Sequence, residues 1–124
     1  MLDGLRILVV EDVPAVRKLM VSLLALEGAT VVEACTGREA CERVREAAFD
    51  VALTDLGLPD IPGEAVVAYV RASSGGRTPV AVLSGANEAD LARALALGAE
   101  RAFAKPIDWE ELLAYLTRQM AVAA

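Results

Sequence analysis

The chain has 124 residues, of which 56% are hydrophobic and 24% charged, as is typical of one compact domain. Its formal net charge of −6 argues against a nucleic-acid surface, which needs clustered lysine and arginine to neutralise phosphates. The two cysteines, Cys35 and Cys41, lack CxxC spacing, and the chain has no histidine, which excludes Cys–His catalysis and favours reduced thiols.

The start of the chain and its longest apolar stretches indicate where in the cell the protein is located. The first residues, MLDGLR, do not resemble a signal peptide, and no apolar stretch approaches the roughly 20 residues that a membrane-spanning helix needs. We therefore expect a cytoplasmic protein with a single domain over residues 1–124, which binds neither membrane nor nucleic acid directly and is a monomer or weak dimer.

Short apolar runs rich in β-branched residues predict the strands. In chain order they are Ile7–Val10, Thr30–Ala34, Asp50–Thr54, Pro79–Ser84 and a weaker run, RAFAK, at 101–105. Between them, apolar residues at helical spacing predict amphipathic helices, the last beginning near Asp108. Strand alternating with helix five times predicts an α/β fold, with a parallel sheet covered by helices on both faces.

Local signals mark where several helices begin and end. Pro14 suits a first helical turn, and Thr36 with Glu39 forms a capping-box pattern. Gly28 and Gly98 each follow a helical segment, where glycine commonly ends a helix. These signals support the same division of the chain into alternating strands and helices.

Polar residues stand at the ends of four predicted strands: Glu11 and Asp12, then Asp55, Ser84 and Lys105. Ligands of open α/β sheets bind beyond the carboxyl ends of the strands, so we expect these side chains to converge. Taken singly, each has a structural explanation; Asp12, for example, could cap the first helix. Taken together, acids at one edge repel one another unless a cation offsets their charge, so the set indicates a metal.

Oxygen ligands without histidine or cysteine select Mg²⁺ or a similar hard ion. With Mg²⁺ held by Asp12 and Asp55, one carboxylate oxygen of Asp55 is free to attack phosphorus. Lys105 and Ser84 are then placed to stabilise the transferred group. Gly57 keeps the next loop small and offers a backbone carbonyl to the ion.

Four stretches, RILVVEDVP, ALTDLGLPDIPG, VLSGA and GAERAFAKPI, resemble the receiver domain of two-component response regulators, the CheY-like superfamily. The resemblance covers nearly the whole chain and implies the strand order 2-1-3-4-5. It implies a phosphoryl group donated by the phosphohistidine of a sensor histidine kinase or a histidine phosphotransfer protein. The residue roles that it implies are Asp55 as acceptor, Glu11, Asp12 and the Gly57 carbonyl for Mg²⁺, Ser84 as switch hydroxyl, and Lys105 as phosphate contact.

The sequence departs from this family at one position. Members often have Tyr or Phe three residues before the lysine, where it acts as a rotamer switch, but here that residue is Ala102. Neighbouring strand residues point to opposite faces, so Phe103 is expected to pack in the core and not to replace the switch. We therefore expect the usual coupling of phosphorylation to the surface of the fourth helix and fifth strand to be altered.

Two alternative functions differ in class. A phosphohydrolase of the haloacid dehalogenase type also uses a strand-end Asp, Mg²⁺, a hydroxyl and a lysine, but it needs a second Asp two residues later. That position is Gly57, which leaves general acid chemistry without a candidate. A receiver-fold module that acts without phosphorylation is the other alternative, and the complete set of acids, hydroxyl and lysine disfavours it.

Overall fold

The computed structural model describes residues 1–85 and 88–123. Strands and helices alternate along this part of the chain. The strands are β1 (Arg6–Val10), β2 (Thr30–Ala34), β3 (Val51–Asp55), β4 (Val80–Ser84) and β5 (Arg101–Ala104). The helices are α1 (Pro14–Leu26), α2 (Gly37–Glu46), α3 (Gly63–Ser73), α4 (Glu88–Ala96) and α5 (Trp109–Ala123).

All strand pairs are parallel, and the sheet order is β2-β1-β3-β4-β5, which confirms the predicted topology. The chain first moves outward from β1 to β2 and then returns to the other side of β1 with β3. The carboxyl ends of β1 and β3 therefore lie side by side at the point where the winding direction reverses. This is where doubly wound sheets bind ligands.

Each face of the sheet carries its own hydrophobic core, because alternate strand residues point in opposite directions. Ile7, Val9 and Leu53 face α1 and α5, whereas Leu8 and Val10 face α2, α3 and α4. These five side chains are no more than 1% exposed, and each contributes roughly 1.5–3 kcal/mol of burial free energy. The cores hold the strands in register and so position the loops at the carboxyl edge.

The predicted helix boundaries are largely confirmed. Pro14 begins α1, and the Thr36 hydroxyl accepts a hydrogen bond of 3.1 Å from the Glu39 amide at the start of α2. Gly28 and Gly98 have φ of 97° and 113°, the left-handed region that glycine adopts readily after a helix. No helix in the described ranges has the length and apolar character of a membrane span.

Several boundaries differ from the prediction by one residue. β1 begins at Arg6 instead of Ile7, β4 begins at Val80 instead of Pro79, and β5 ends at Ala104 instead of residue 105. β3 covers Val51–Asp55 instead of Asp50–Thr54, because Asp55 still pairs with Leu83 of β4. Asp50 lies outside the strand, where its carboxylate accepts a 2.8 Å hydrogen bond from the Arg6 amide. α5 begins at Trp109, one residue after Asp108, whose carboxylate accepts from the Glu111 amide at 3.2 Å.

Phe103 and Ala102 lie on opposite faces of β5, as predicted. Phe103 is 3% exposed and its ring meets that of Tyr115 edge-on, with the centroids 5.7 Å apart. Ala102 packs against the core on the other face. Phe103 is therefore a core residue and cannot occupy the position of the missing aromatic.

Candidate functional site

Three carboxylates meet at the carboxyl edge of the sheet. Glu11, Asp12 and Asp55 each place a carboxylate oxygen within 4.8 Å of the other two. Glu11 is 2% exposed and Asp55 is 9% exposed, so water solvates this charge poorly. Adjacent β1 and β3 bring the acids together, although they are far apart in the sequence.

Lys105 supplies the compensating charge. Its ammonium nitrogen lies 3.0 Å from Asp55 Oδ2 and 3.2 Å from Glu11 Oε1. The Lys105 amide donates to the Ser84 carbonyl at 3.0 Å, which continues the pairing of β4 with β5 beyond Ala104. The Lys105 ammonium thus pairs with two members of a three-carboxylate cluster, which retains excess negative charge.

The pKa shifts agree with this arrangement. Burial raises the pKa of Glu11 and the charge of Asp55 adds to the effect, although hydrogen bonds from the Val13 amide and Lys105 oppose it. Burial disfavours the charged form of Lys105, but its hydrogen bonds to Asp55 and Glu11 outweigh this and raise the pKa of Lys105. The lysine is therefore held as an ammonium beside Asp55.

Asp12 does not cap the first helix, so that interpretation is wrong. The N-cap residue of α1 is Val13, with an extended backbone and no side-chain capping bond. The Val13 amide instead donates to Glu11 Oε2 at 3.1 Å. Glu11 thereby organises the start of the loop, and Asp12 contributes its carboxylate to the acidic cluster.

The loop after β3 is closed tightly at its base. The Gly57 amide donates to Asp55 Oδ1 at 3.0 Å, and the Gly63 amide donates to the Leu56 carbonyl at 3.2 Å. A Cβ on Gly63 would lie 2.4 Å from Leu56 Cα, so the closure requires glycine. Gly63 was not predicted as a site residue; its signal in the sequence is the Pro-Gly pair at the start of a helical segment.

A cleft of about 420 Å³ opens over Asp55. Ser84 and Lys105 line it, as predicted, and Ser84 is 4% exposed. Glu64 and Asp90, from the first turns of α3 and α4, also line this cleft and were not predicted. No local pattern distinguishes them from other acids in a first helical turn, where acids are favoured in any case.

The donor groups at this edge fit Mg²⁺. Every side chain of the acidic cluster offers oxygen, and the carboxylates carry more negative charge than Lys105 neutralises. A Cβ on Gly57 would lie 3.8 Å from Asp55 Oδ1, so glycine leaves the space beside that oxygen open. The set has the composition of a magnesium site that retains room for a further ligand.

Curated relatives are response regulators. The chain is 37% identical to the regulator of RpoS from Escherichia coli K12 over 107 residues, which cover 86% of this chain and 32% of that protein. It is 34% identical to the transcriptional regulatory protein DltR of Streptococcus agalactiae over 122 residues, 95% of this chain and 54% of that one. The chain thus spans about a third to a half of these relatives.

Solved structures with somewhat lower identity show the same architecture. Chemotaxis protein CheY4 of Vibrio cholerae has a TM-score of 0.85 and 31% identity, with 93% of this chain and 98% of that chain covered. The receiver domain of a sensor histidine kinase from Pseudomonas aeruginosa PAO1 has a TM-score of 0.85 and 29% identity, with 95% and 98% covered. That structure is described with a magnesium ion coordinated in its active site cleft.

The family profile of the response regulator receiver domain matches residues 7–117. This range includes β2 to β5, all of β1 except Arg6, and both the acidic cluster and Lys105. With its fold and its relatives, this chain belongs to the response regulator receiver domain family.

Proposed function

We propose that Asp55 accepts a phosphoryl group from a phosphohistidine on a sensor histidine kinase or a histidine phosphotransfer protein. The observation that carries this proposal is the position of Asp55. Its carboxylate lies in a cluster of acids, 3.0 Å from the Lys105 ammonium, and forms part of the wall of an open cleft.

In the proposed step, an oxygen of Asp55 attacks phosphorus. The O–P bond forms as the N–P bond to the donor imidazole breaks. The imidazole nitrogen keeps the electron pair of the broken bond and takes up a proton. The product is an aspartyl phosphate, and this chain needs no histidine of its own.

Lys105 and Ser84 have different tasks in this proposal. The Lys105 ammonium is positioned to pair with a phosphoryl oxygen as negative charge arrives beside Asp55. The buried Ser84 hydroxyl lines the same cleft and is placed to donate to another phosphoryl oxygen.

Glu11, Asp12, Asp55 and the Gly57 carbonyl are the groups that we propose for Mg²⁺. When bound, the ion supplies positive charge that offsets repulsion between the carboxylates and the phosphoryl oxygens. Glu11 Oε2 accepts a hydrogen bond from the Val13 amide, so the backbone sets the orientation of the carboxylate that would bind the ion.

We infer that the chain is one receiver domain over residues 1–124 that accepts phosphate without turning over substrate, apart from slow self-catalysed dephosphorylation. Gly57 stands where a phosphohydrolase of the alternative class has its general acid. We also infer a cytoplasmic location and a monomer or weak dimer without direct contact to nucleic acid. Family membership supports the role of a signalling receiver domain, and the net charge of −6 supports the absence of contact to nucleic acid.

An apolar surface beside the site supports docking of a protein donor. Val13, Val16 and Leu19 are 45%, 38% and 60% exposed on or just before α1. Val16 and Leu19 border an apolar groove of about 310 Å³ that also contains Trp109 and reaches Lys105. A partner seated here brings its phosphohistidine close to Asp55.

Phosphotransfer from a histidine-phosphorylated donor tests the proposal. With Mg²⁺ present, label is expected to move from the donor to the chain up to one phosphate per molecule. Steady hydrolysis of p-nitrophenyl phosphate would instead support the phosphohydrolase. Failure of every histidine-phosphorylated donor and every small phosphodonor to label the chain would support the phosphorylation-independent module.

A further inference from the structure

Asp60, near the tip of the loop after β3, holds the start of a different helix. Its Oδ1 accepts a hydrogen bond from the Gly37 amide and its Oδ2 accepts one from the Arg38 amide, both at 2.9 Å. Gly37 and Arg38 are the first two residues of α2. A single carboxylate therefore binds two helix amides that have no partner within the helix itself.

This contact is separate from the local cap of α2. Thr36 already satisfies the Glu39 amide with its hydroxyl and the Ala40 amide with its carbonyl, each at 3.1 Å. Asp60 thus completes the first turn from 23 positions away. The positive end of the helix favours the negative charge, and the hydrogen bonds from Arg38 and Gly37 lower the pKa of Asp60.

The neighbouring residue makes an apolar contact to the same place. A Cβ on Gly37 would lie 2.3 Å from Ile61 Cγ1 and 3.1 Å from Val66 Cγ2. The Ile61 side chain therefore packs directly over the backbone of α2, which is possible because Gly37 has no side chain. Polar and apolar contacts from adjacent loop residues converge on one helical turn.

The rest of the loop is held mainly at its base. Gly63 closes it through the Leu56 carbonyl, and the Gly57 amide binds Asp55. The Gly57 amide belongs to this base, and Asp60 is three residues further on. The carbonyl of Gly57 belongs to the next peptide, which leads toward Asp60, so its orientation depends on both the Asp55 contact and the Asp60 contact.

We propose that Asp60 is a positioning residue for the phosphorylation site. By binding the first two amides of α2, its carboxylate holds the loop over 56–62 and so places the Gly57 backbone relative to Asp55. This role rests on the proposed function in one respect: Gly57 matters because its carbonyl is a proposed Mg²⁺ ligand. The anchoring itself is a property of the protein without metal.

Two substitutions at Asp60 and one control test this role. Asp60→Ala removes both hydrogen bonds, and Asp60→Asn keeps one acceptor oxygen and the side-chain shape. Thr36→Ala removes the local cap of the same helix without touching the loop. Two readouts are needed: amide exchange at Gly57 by NMR in the metal-free protein, and Mg²⁺ affinity from the fluorescence of Trp109, the single tryptophan.

We expect Asp60→Ala to speed exchange at Gly57 and to weaken Mg²⁺ binding by roughly tenfold, as loss of a group that orients a metal ligand does. Asp60→Asn is expected to fall between that variant and the unsubstituted chain, and it keeps the test decisive if the Ala variant folds poorly. Thr36→Ala is expected to lower the unfolding temperature while leaving both readouts unchanged.

The outcomes separate this inference from the proposed function. Unchanged Gly57 exchange and Mg²⁺ affinity in both Asp60 variants would overturn the positioning role. Equal losses in Thr36→Ala would also overturn it, because the effect would then reflect α2 in general. If the unsubstituted chain binds no Mg²⁺, the proposed function fails, and Gly57 exchange alone decides whether Asp60 positions the loop.

Discussion

Lys105 Nζ lies 3.0 Å from Asp55 Oδ2, although the two residues are 50 positions apart in the chain. Their strands are not neighbours, since β4 lies between β3 and β5. The long lysine side chain spans that strand and also reaches Glu11 at the end of β1. One cation thus joins three strand ends, and it is in place before any phosphoryl group arrives.

The proposed acceptor can be tested by removing its nucleophilic oxygen. With Mg²⁺ and a small phosphodonor, the unsubstituted chain is expected to gain one acid-stable, base-labile phosphate, and Asp55→Asn is expected to gain none. Intact-mass spectrometry measures this directly. Asp3→Asn is the control and should label normally, because the Asp3 side chain is 86% exposed and distant from Asp55 in the sequence. Equal labelling of Asp55→Asn would show that another residue is the acceptor.

Removing Asp12 is expected to affect metal binding and stability in opposite directions. Asp12→Ala should weaken Mg²⁺ binding yet stabilise the metal-free fold by up to about 1 kcal/mol, because it relieves repulsion within the acidic cluster. Thermal melts with and without Mg²⁺ measure both effects. Clear destabilisation without metal would show that Asp12 supports the fold in a way that its contacts do not reveal.

The anchoring bond of Asp60 predicts a pH dependence with a definite sign. Its folded pKa is lower than the ordinary value of 3.8, so its stabilisation is present above that value and is lost as pH falls through the folded pKa. The stability difference between the unsubstituted chain and Asp60→Ala should therefore be constant between about pH 5 and 8 and shrink in stronger acid.

Urea denaturation across this pH range measures the Asp60 effect. Thr36→Ala is the matched control, because a hydroxyl does not titrate here and its capping contribution should not follow the carboxylate. A stability difference for Asp60→Ala that persists unchanged in strong acid would show that the stabilisation does not require the ionised carboxylate of Asp60.

Glu64 is predicted to slow phosphorylation by small anionic donors. It lines the cleft over Asp55 and adds negative charge along the approach of a dianion such as acetyl phosphate. Glu64→Gln should raise the rate of labelling roughly twofold at low ionic strength, with a smaller gain in high salt. Glu42→Gln, on the exposed surface of α2, is the control. An unchanged rate in Glu64→Gln at low salt would exclude this electrostatic effect.

Ala102 predicts that the phosphorylation signal stays local. A methyl group cannot turn inward when Ser84 moves toward a phosphoryl group, so β5 and its flanking helices should change little. Beryllofluoride with Mg²⁺ is expected to protect the amides of Asp55–Gly63 without inducing a dimer. Protection is also expected over Ser84–Glu88, of which residues 86 and 87 lie outside the described part of the chain.

Hydrogen exchange combined with sedimentation decides the Ala102 prediction. Strong new protection across Arg101–Ala104, or a tight dimer that forms with the mimic, would show that switching survives without the aromatic. Ala102→Tyr is the matched variant: if the missing ring limits the signal, restoring it should extend mimic-dependent protection into β5.

Much of the fold was predictable because it depends on short-range patterns. Apolar runs with β-branched residues and helical spacing define the strands and helices, and alternation between them is enough to predict a parallel sheet. Since ligands bind at the carboxyl edge of such a sheet, the convergence of Asp12, Asp55 and Lys105 followed as well. The strand order itself came from the resemblance to the receiver family.

Tertiary structure decided the contacts that no local pattern encodes. In the sequence, Asp60 is indistinguishable from an ordinary turn residue. Only the packing of the loop on α2 shows that it binds the Gly37 and Arg38 amides. In the sequence, Glu64 is indistinguishable from any other acid of a first helical turn. Only the folded structure shows that it lines the same cleft as Asp55. Such contacts depend on distances between distant segments, which are determined by packing of the whole core and not by the spacing of neighbouring residues.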